Sequence, residues 1–204
     1  AMAERAGGAR PALSADWWST LLLLEPTDEE RSVALRALLE LAPEAEAAGV
    51  SLDRAALTRD LALAEPHEAS HWDALASSDP EIAQQTLAQA AEQALDATLR
   101  HGLLVRAAGL AADDDTAMAW LRLALEACED PATRAALHAR LAQAERFHEL
   151  ALDMEELAER DLPHAGRWWA RAAEVWSGPA RERSEEHTSE LQSLAYLVCR
   201  LLLE

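Results

Sequence analysis

Several residue types are scarce or missing in this chain of 204 residues. It has no lysine and no asparagine, and it has only 7 Gly, 8 Pro, 2 Cys, 1 Tyr and 1 Phe. So few cysteines argue against a disulfide scaffold, and the composition as a whole argues against a β-sandwich or a collagen-like chain. The 37 acidic and 18 basic residues give a net charge of −19, which disfavours direct binding to nucleic acid or to anionic membrane surfaces.

Long apolar runs and common catalytic motifs are also missing. The run Leu21 to Leu24 stops at Glu25 and is too short for a signal-peptide core or a membrane span. The sequence contains no GxGxxG, Walker, CxxC or GxSxG pattern. We therefore expect no cofactor, and we favour a cytoplasmic location.

What the chain has in abundance is alanine, with 47 residues, beside leucine, glutamate and arginine. These residues favour helices, so we predict an all-α protein. The apolar periodicity and the positions of proline and aspartate predict ten helices. They lie near residues 14–25, 27–41, 52–65, 67–78, 80–100, 102–112, 116–129, 131–145, 147–160 and 163–177.

Tryptophan is also unusually frequent, with 7 residues, and its positions repeat. The pattern A-x-x-W occurs at Ala15/Trp18, Ala69/Trp72, Ala117/Trp120 and Ala165/Trp168, with Trp spacings of 54, 48 and 48. Self-similarity at a fixed period indicates stacked structural repeats. We predict one helical repeat domain over 12–182, in Trp-centred units of three helices near 15–66, 67–114, 115–162 and 163–182.

Each copy of the pattern has the spacing of one helix face. Ala117, Trp120, Ala124 and Ala127 are spaced by three or four residues, so they share a stripe of an α-helix. A large indole among alanines fills the space between closely packed helices. We expect these tryptophans to lie mainly in the core, which a closed helical bundle would also require.

The repeat resembles the tetratricopeptide-like family of α-solenoids. W-x-x-L-A stands at Trp72/Leu75/Ala76 and Trp120/Leu123/Ala124, and alanine stands 16 positions after a Trp at Ala34, Ala88 and Ala136. Trp168 departs from the pattern, because Arg171 stands three positions after it in place of leucine. The period of the repeat, 48 residues, also differs from the 34 of the family. The resemblance implies antiparallel helices stacked as a right-handed solenoid, and a protein-binding role for the concave face of the Trp-bearing helices. The alternative fold is a closed helical bundle.

One catalytic pattern competes with this interpretation. His67-Glu68-Ala69-Ser70-His71 is HExxH, in which two His one helical turn apart bind zinc and the Glu acts as general base. Glu92 is the candidate third ligand. Two observations argue against this zinc site. Pro66 places the motif at the start of a helix, and Ala69 is already a position of the A-x-x-W repeat. A zinc-dependent metallohydrolase using His67, His71, Glu92 and Glu68 is thus the alternative function.

The two ends of the chain are interpreted separately. Residues 183–193, RSEEHTSELQS, resemble the in-frame translation of a common sequencing adapter, and the match continues through 196–204. We expect 183–204 to be non-native, 1–11 to be disordered and the native protein to be longer. Without the two Arg and four Glu of 183–204, 16 basic and 33 acidic residues remain, a net charge of −17. Cys128 is then the single cysteine, so no intrachain disulfide can form.

The function predicted from the sequence is a non-catalytic protein–protein interaction scaffold, present as a fragment of a longer helical-repeat protein. Its partner is expected to be another protein or a peptide, with no nucleic acid and no membrane involved. The acidic charge would steer a basic partner favourably, although acidity is also an ordinary solubility feature. A regulatory domain of a larger enzyme is a further alternative. The lack of Lys and Asn is typical of GC-rich coding, as in some bacteria.

Overall fold

The computed structural model describes residues 11–24 and 26–178, and within these ranges it is all-α, as predicted. These ranges contain ten α-helices, one short 3-10 turn and no strand. The helices are α1 (Pro11–Leu23), α2 (Asp28–Ala47), α3 (Arg54–Ala64), α4 (Ala69–Ser78), α5 (Pro80–Gln93), α6 (Ala97–Gly109), α7 (Asp114–Ala127), α8 (Pro131–Gln143), α9 (Phe147–Arg160) and α10 (Ala165–Ser177), and the 3-10 turn is Leu162–His164. Two helices separate each helix that carries A-x-x-W from the next.

Aspartate side chains begin half of these helices. Each is the residue before the helix, and its carboxylate accepts the backbone N–H three positions later, which satisfies one of the free donors of the first turn. The five are Asp53, Asp79, Asp96, Asp113 and Asp130. Thr27 begins α2 with a reciprocal pair of bonds to Glu30. Local sequence therefore sets most helix starts.

Two predicted helix boundaries are wrong. The helix expected to end near residue 41 continues through Pro43 to Ala47, and the second error lies after α5. The region expected to form a single helix over 80–100 is two helices, because α5 ends at Gln93 and α6 begins at Ala97. Ala94 has an extended backbone, and the Asp96 carboxylate accepts the Leu99 N–H at 2.7 Å. The start expected at residue 102 therefore lies inside α6.

The chain divides into two compact units after Glu129. In the first unit, each helix from α1 to α6 packs against the next one along the chain. Its main core is built by α3 to α7 around Trp72 and Leu75, and the core is rich in alanine. A smaller cluster of Ala15, Leu38 and Ala45 joins α1 to α2.

The second unit begins at Asp130 and has α8, α9 and α10 as its described helices. α9 packs against both α8 and α10, most closely against α10. Leu137, Leu150, Met154 and Ala172 are among its buried side chains. The division lies inside the expected Trp-centred unit 115–162, because α7 packs on α6 in the first unit and α8 packs on α9 in the second.

The predictions for the two ends of the chain lie almost wholly outside the described residues. The segment expected to be disordered, 1–11, enters the described part only at Pro11, the first residue of α1. The expected adapter-derived segment 183–204 is not among the described residues. In the described ranges, no helix combines the length and the apolar character that a membrane crossing requires.

Candidate functional site

The repeat positions identified from the sequence differ in burial. Ala15 and Ala117 are fully buried and Trp72 is 2% exposed, whereas Ala69 is exposed. Trp18, Trp120, Ala165 and Trp168 are half-buried. The three alanines that follow a Trp by 16 positions also differ, with Ala34 buried, Ala88 half-buried and Ala136 exposed. Equivalent positions in the sequence therefore have different roles in the structure.

The HExxH residues lie at the start of α4, and one of them, His71, is already paired with the carboxylate of Glu65. His67 and Glu68 are exposed, and the Glu68 side chain makes no capping bond to α4. His71 is half-buried, and its Nε2 lies 2.8 Å from Oε2 of Glu65. The described ranges contain no group of three or more His, Cys, Asp or Glu side chains placed to hold a metal ion. His67, His71 and Glu92 are therefore not brought together as a ligand set.

Glu65 explains what His71 does instead. Its carboxylate pairs with Arg36 of α2 and with His71 of α4, at the end of α3. Burial acts to raise the pKa of Glu65, but the hydrogen bonds from Arg36 and His71 outweigh it and hold that pKa below 4.5. Next to it, the Pro66 carbonyl accepts the indole N–H of Trp72 at 3.1 Å. Glu65 thus joins α2, α3 and α4 at a structural ion-pair cluster, in which His71 is one partner.

A second ion-pair cluster lies in the other unit. Asp153 of α9 contacts two residues of α8, with its Oδ1 2.8 Å from Arg134 Nη1 and its Oδ2 2.6 Å from His138 Nε2. Burial acts to raise the pKa of Asp153, but the His138 hydrogen bond and the Arg134 charge outweigh it and lower that pKa below 3.8. The His138 ring meets Trp168 of α10 edge-on, with 6.3 Å between ring centroids. This cluster holds the helices of the unit together.

A groove of about 350 Å³ lies between α5 and α7, both of which pack against α6. We call it the Gln–Trp groove. Its lining residues are Gln84, Gln85, Ala88, Gln89 and Glu92 from α5, and Thr116 and Trp120 from α7. Glu92, the candidate zinc ligand of the sequence analysis, therefore belongs to this groove.

The α5 side of the groove follows from helical spacing. Gln84, Ala88 and Glu92 are four residues apart and share one stripe, and Gln85 and Gln89 form the neighbouring stripe. The opposite face of α5 carries buried residues of the core, among them Ala83, Leu87 and Ala91. Packing of this apolar face fixes the orientation of α5, so the glutamines and Glu92 are presented at its other side.

Two hydrogen-bond donors of the groove have no partner. Trp120 Nε1 and Gln84 Nε2 are both buried and unpaired, and the third such side-chain atom in the described ranges, Ser14 Oγ, lies in α1. A buried donor without an acceptor costs about 1–3 kcal/mol, and most buried polar atoms in folded proteins are paired. A ligand acceptor that reached these two donors from the groove would remove this cost.

The unpaired indole of Trp120 has a local cause. Trp168 donates to Oδ2 of Asp161 at 3.2 Å, and Asp113 holds the equivalent place 48 residues earlier. Asp113 caps α7, so its Oδ1 accepts the Thr116 N–H and its Oδ2 accepts the Thr116 hydroxyl, both at 2.8 Å. These bonds lower the pKa of Asp113 below 3.8, the backbone one most strongly. The Asp113 carboxylate is thus bonded to Thr116 and not to the Trp120 indole.

The residues of this groove can be singled out in the sequence, but not the groove itself. From the sequence, Trp120 is expected in the core and Glu92 is the third ligand only of the alternative zinc site, and no role is predicted for the glutamines. A signal was present, since four of the six glutamines in the chain, Gln84, Gln85, Gln89 and Gln93, fall in α5 while asparagine is absent. Comparison with protein-family models, with curated proteins and with solved structures gave no match to this chain.

Proposed function

We propose that this protein is a non-catalytic interaction module that binds a segment of another protein in the Gln–Trp groove. The observation that carries the proposal is the pair of unpaired buried donors, Trp120 Nε1 and Gln84 Nε2, in one groove. Folded proteins rarely leave such atoms unsatisfied, and those that do so at a concave surface gain binding energy when a ligand supplies the acceptor.

The chemistry of the groove supports recognition rather than catalysis. Its lining offers amide groups, an indole and one carboxylate, and the hydroxyl of Thr116 donates to Asp113, a helix-capping carboxylate whose lowered pKa makes it a weak base. Nucleophilic catalysis would need a hydroxyl or thiol beside a base that takes its proton. Amides that both donate and accept hydrogen bonds suit the recognition of a peptide backbone.

The proposal includes the finer architecture expected from the sequence. A right-handed tetratricopeptide-like solenoid is supported by the 48-residue Trp period and by the two helices that lie between successive A-x-x-W helices. In such a fold, the partner segment would be held by side chains of neighbouring helices. Participation as a scaffold within a longer protein belongs to the same proposal.

The test is a selection of random peptides displayed on phage against the purified chain, followed by affinity measurements on variants. We expect selected peptides to lose about tenfold or more in affinity with Trp120→Ala, and several-fold with Gln89→Ala. Gln143→Ala, an exposed glutamine of α8 outside the groove, is the matched control. Binders whose affinity is unchanged by both Trp120→Ala and Gln89→Ala would show that the groove is not the binding site, and a selection without binders would contradict the proposed function.

A further inference from the structure

We infer that the Gln–Trp groove binds an extended segment that carries a basic side chain, with a backbone carbonyl of that segment accepting from Trp120 and Gln84. This inference rests on the proposed function and specifies its ligand. It depends on three observations: the two unpaired donors, the acceptors that equivalent tryptophans use elsewhere in the chain, and the charge around the groove.

The equivalent tryptophans show which acceptors suit this position. In α4 the indole N–H of Trp72 donates to the backbone carbonyl of Pro66, and in α10 that of Trp168 donates to the carboxylate of Asp161. In α7 no described atom accepts from Trp120. The ligand is therefore expected to supply either a carbonyl or a carboxylate.

Charge decides between these two acceptors. The Glu92 carboxylate lines the groove, is exposed and forms no ion pair with any other described residue. The chain as a whole carries a net charge of −19. A ligand carboxylate would meet repulsion from both, whereas a neutral carbonyl would not. The same field favours a basic side chain beside Glu92.

The size of the groove favours an extended segment. A volume of 350 Å³ is at the low end of ligand sites, and an α-helix with its side chains is about 10–12 Å across. A carbonyl oxygen has two lone pairs, so a single one can accept from both donors. Both donors are shielded from solvent in the free protein, so a ligand acceptor reaches them only when the side chains that cover them move.

The experiment uses three libraries of end-capped octapeptides that differ only in a central residue fixed as Arg, Gln or Glu. Binding to the full chain is measured by fluorescence anisotropy. We expect the Arg library to bind about tenfold more tightly than the Glu library. Glu92→Gln should weaken binding of the Arg library about twofold to fivefold. The control is Glu68→Gln, which neutralises an exposed carboxylate that does not line the groove and should leave binding unchanged.

The donors are tested separately from the charge. Trp120→Phe keeps the ring and removes the N–H, and Gln84→Met keeps the side-chain length and removes the amide. Each should weaken the Arg and Gln libraries about fivefold to tenfold. In the wild-type chain, the indole N–H resonance of Trp120, assigned from Trp120→Phe, should move downfield when peptide binds, while that of Trp72 stays in place.

The outcomes separate this inference from the proposed function. Equal binding of the three libraries, or tight binding that survives both donor variants, overturns the inference. If either of these results is found but peptide binding is still lost with Trp120→Ala, the groove remains the binding site and the proposed function stands. If no library binds and no indole resonance moves, both are overturned.

Discussion

Trp72 and Trp120 stand 48 residues apart at the same place in the sequence repeat, yet their surroundings differ. Trp72 is 2% exposed within the main core of the first unit, and its N–H is bonded to Pro66. Trp120 packs against the edge of the same core, lines the groove and has an unpaired N–H. A repeat can thus use one tryptophan to hold the fold and its equivalent to build a binding surface.

The largest expected effect tests this difference directly. Trp72→Ala should lower the free energy of unfolding by about 3–5 kcal/mol, because it removes a fully packed indole and leaves a cavity. Trp120→Ala should cost only about 1–2 kcal/mol, because less of its surface is buried. Urea unfolding followed by circular dichroism measures both. Equal losses would show that Trp120 is as much a core residue as Trp72.

The third equivalent, Trp168, lies beside the Asp153 cluster of the second unit. Asp153→Asn should lower the free energy of unfolding by about 1–3 kcal/mol at neutral pH, because it weakens the bonds to Arg134 and His138. The folded-state pKa of Asp153 is below 3.8, so its stabilisation is present above that pH and is lost as the pH falls through the folded-state pKa.

Thermal unfolding between pH 7 and pH 2.5 measures this contribution. Wild type should lose more stability than Asp153→Asn over the acid range, so the two curves converge as the pH falls. Asp73→Asn is the control, since the Asp73 side chain is 71% exposed and its ion pair with Arg106 lies at the surface. Parallel curves for wild type and Asp153→Asn would contradict a depressed pKa at Asp153.

A smaller effect isolates the indole N–H. Trp72→Phe should cost about 1–3 kcal/mol, since it also leaves the Pro66 carbonyl without its donor. Trp120→Phe should leave the free energy of unfolding within about 0.5 kcal/mol of wild type, because it removes a buried donor that had no partner. The same urea titration compares them, and a Trp120→Phe loss as large as that of Trp72→Phe would mean that the Trp120 N–H is paired in solution.

The smallest effect concerns the HExxH segment that precedes Trp72. His67→Ala should change the free energy of unfolding by less than about 0.5 kcal/mol, because His67 is exposed. His71→Ala should cost about 1 kcal/mol, because Glu65 loses one of its partners. Metal analysis of the purified chain completes the test: one zinc per chain that disappears with His67→Ala would support the metallohydrolase alternative.

Sequence reasoning located the helices well because their starts depend on local signals. An Asp that caps a helix, with or without a proline directly after it, can be recognised in the sequence without knowing the fold. The break after Gln93 cannot be predicted from periodicity, because Leu95 and Leu99 continue the apolar spacing although Leu95 is fully exposed in the connection. Periodicity does not show which apolar residue a connection leaves outside.

The groove could not be predicted in the same way. Asp113 bonds Thr116 and leaves Trp120 unpaired, whereas the equivalent Asp161 accepts from both His164 and Trp168, and the sequence alone does not distinguish the two arrangements. Glutamine is also an ordinary helix former, so its clustering in α5 has no meaning until the packed face of that helix is known. Only the three-dimensional arrangement places Glu92 beside these amides instead of beside His71.

The five aspartate caps have a consequence for how this chain could be engineered. Asparagine caps a helix about as well as aspartate does, since its side-chain oxygen accepts the same backbone N–H. Replacing Asp53, Asp79, Asp96 and Asp130 by Asn would make the formal charge less negative by four, from −19 to −15, at little cost in stability. The electrostatic attraction of a partner could then be adjusted from positions outside the groove lining, with the fold held constant.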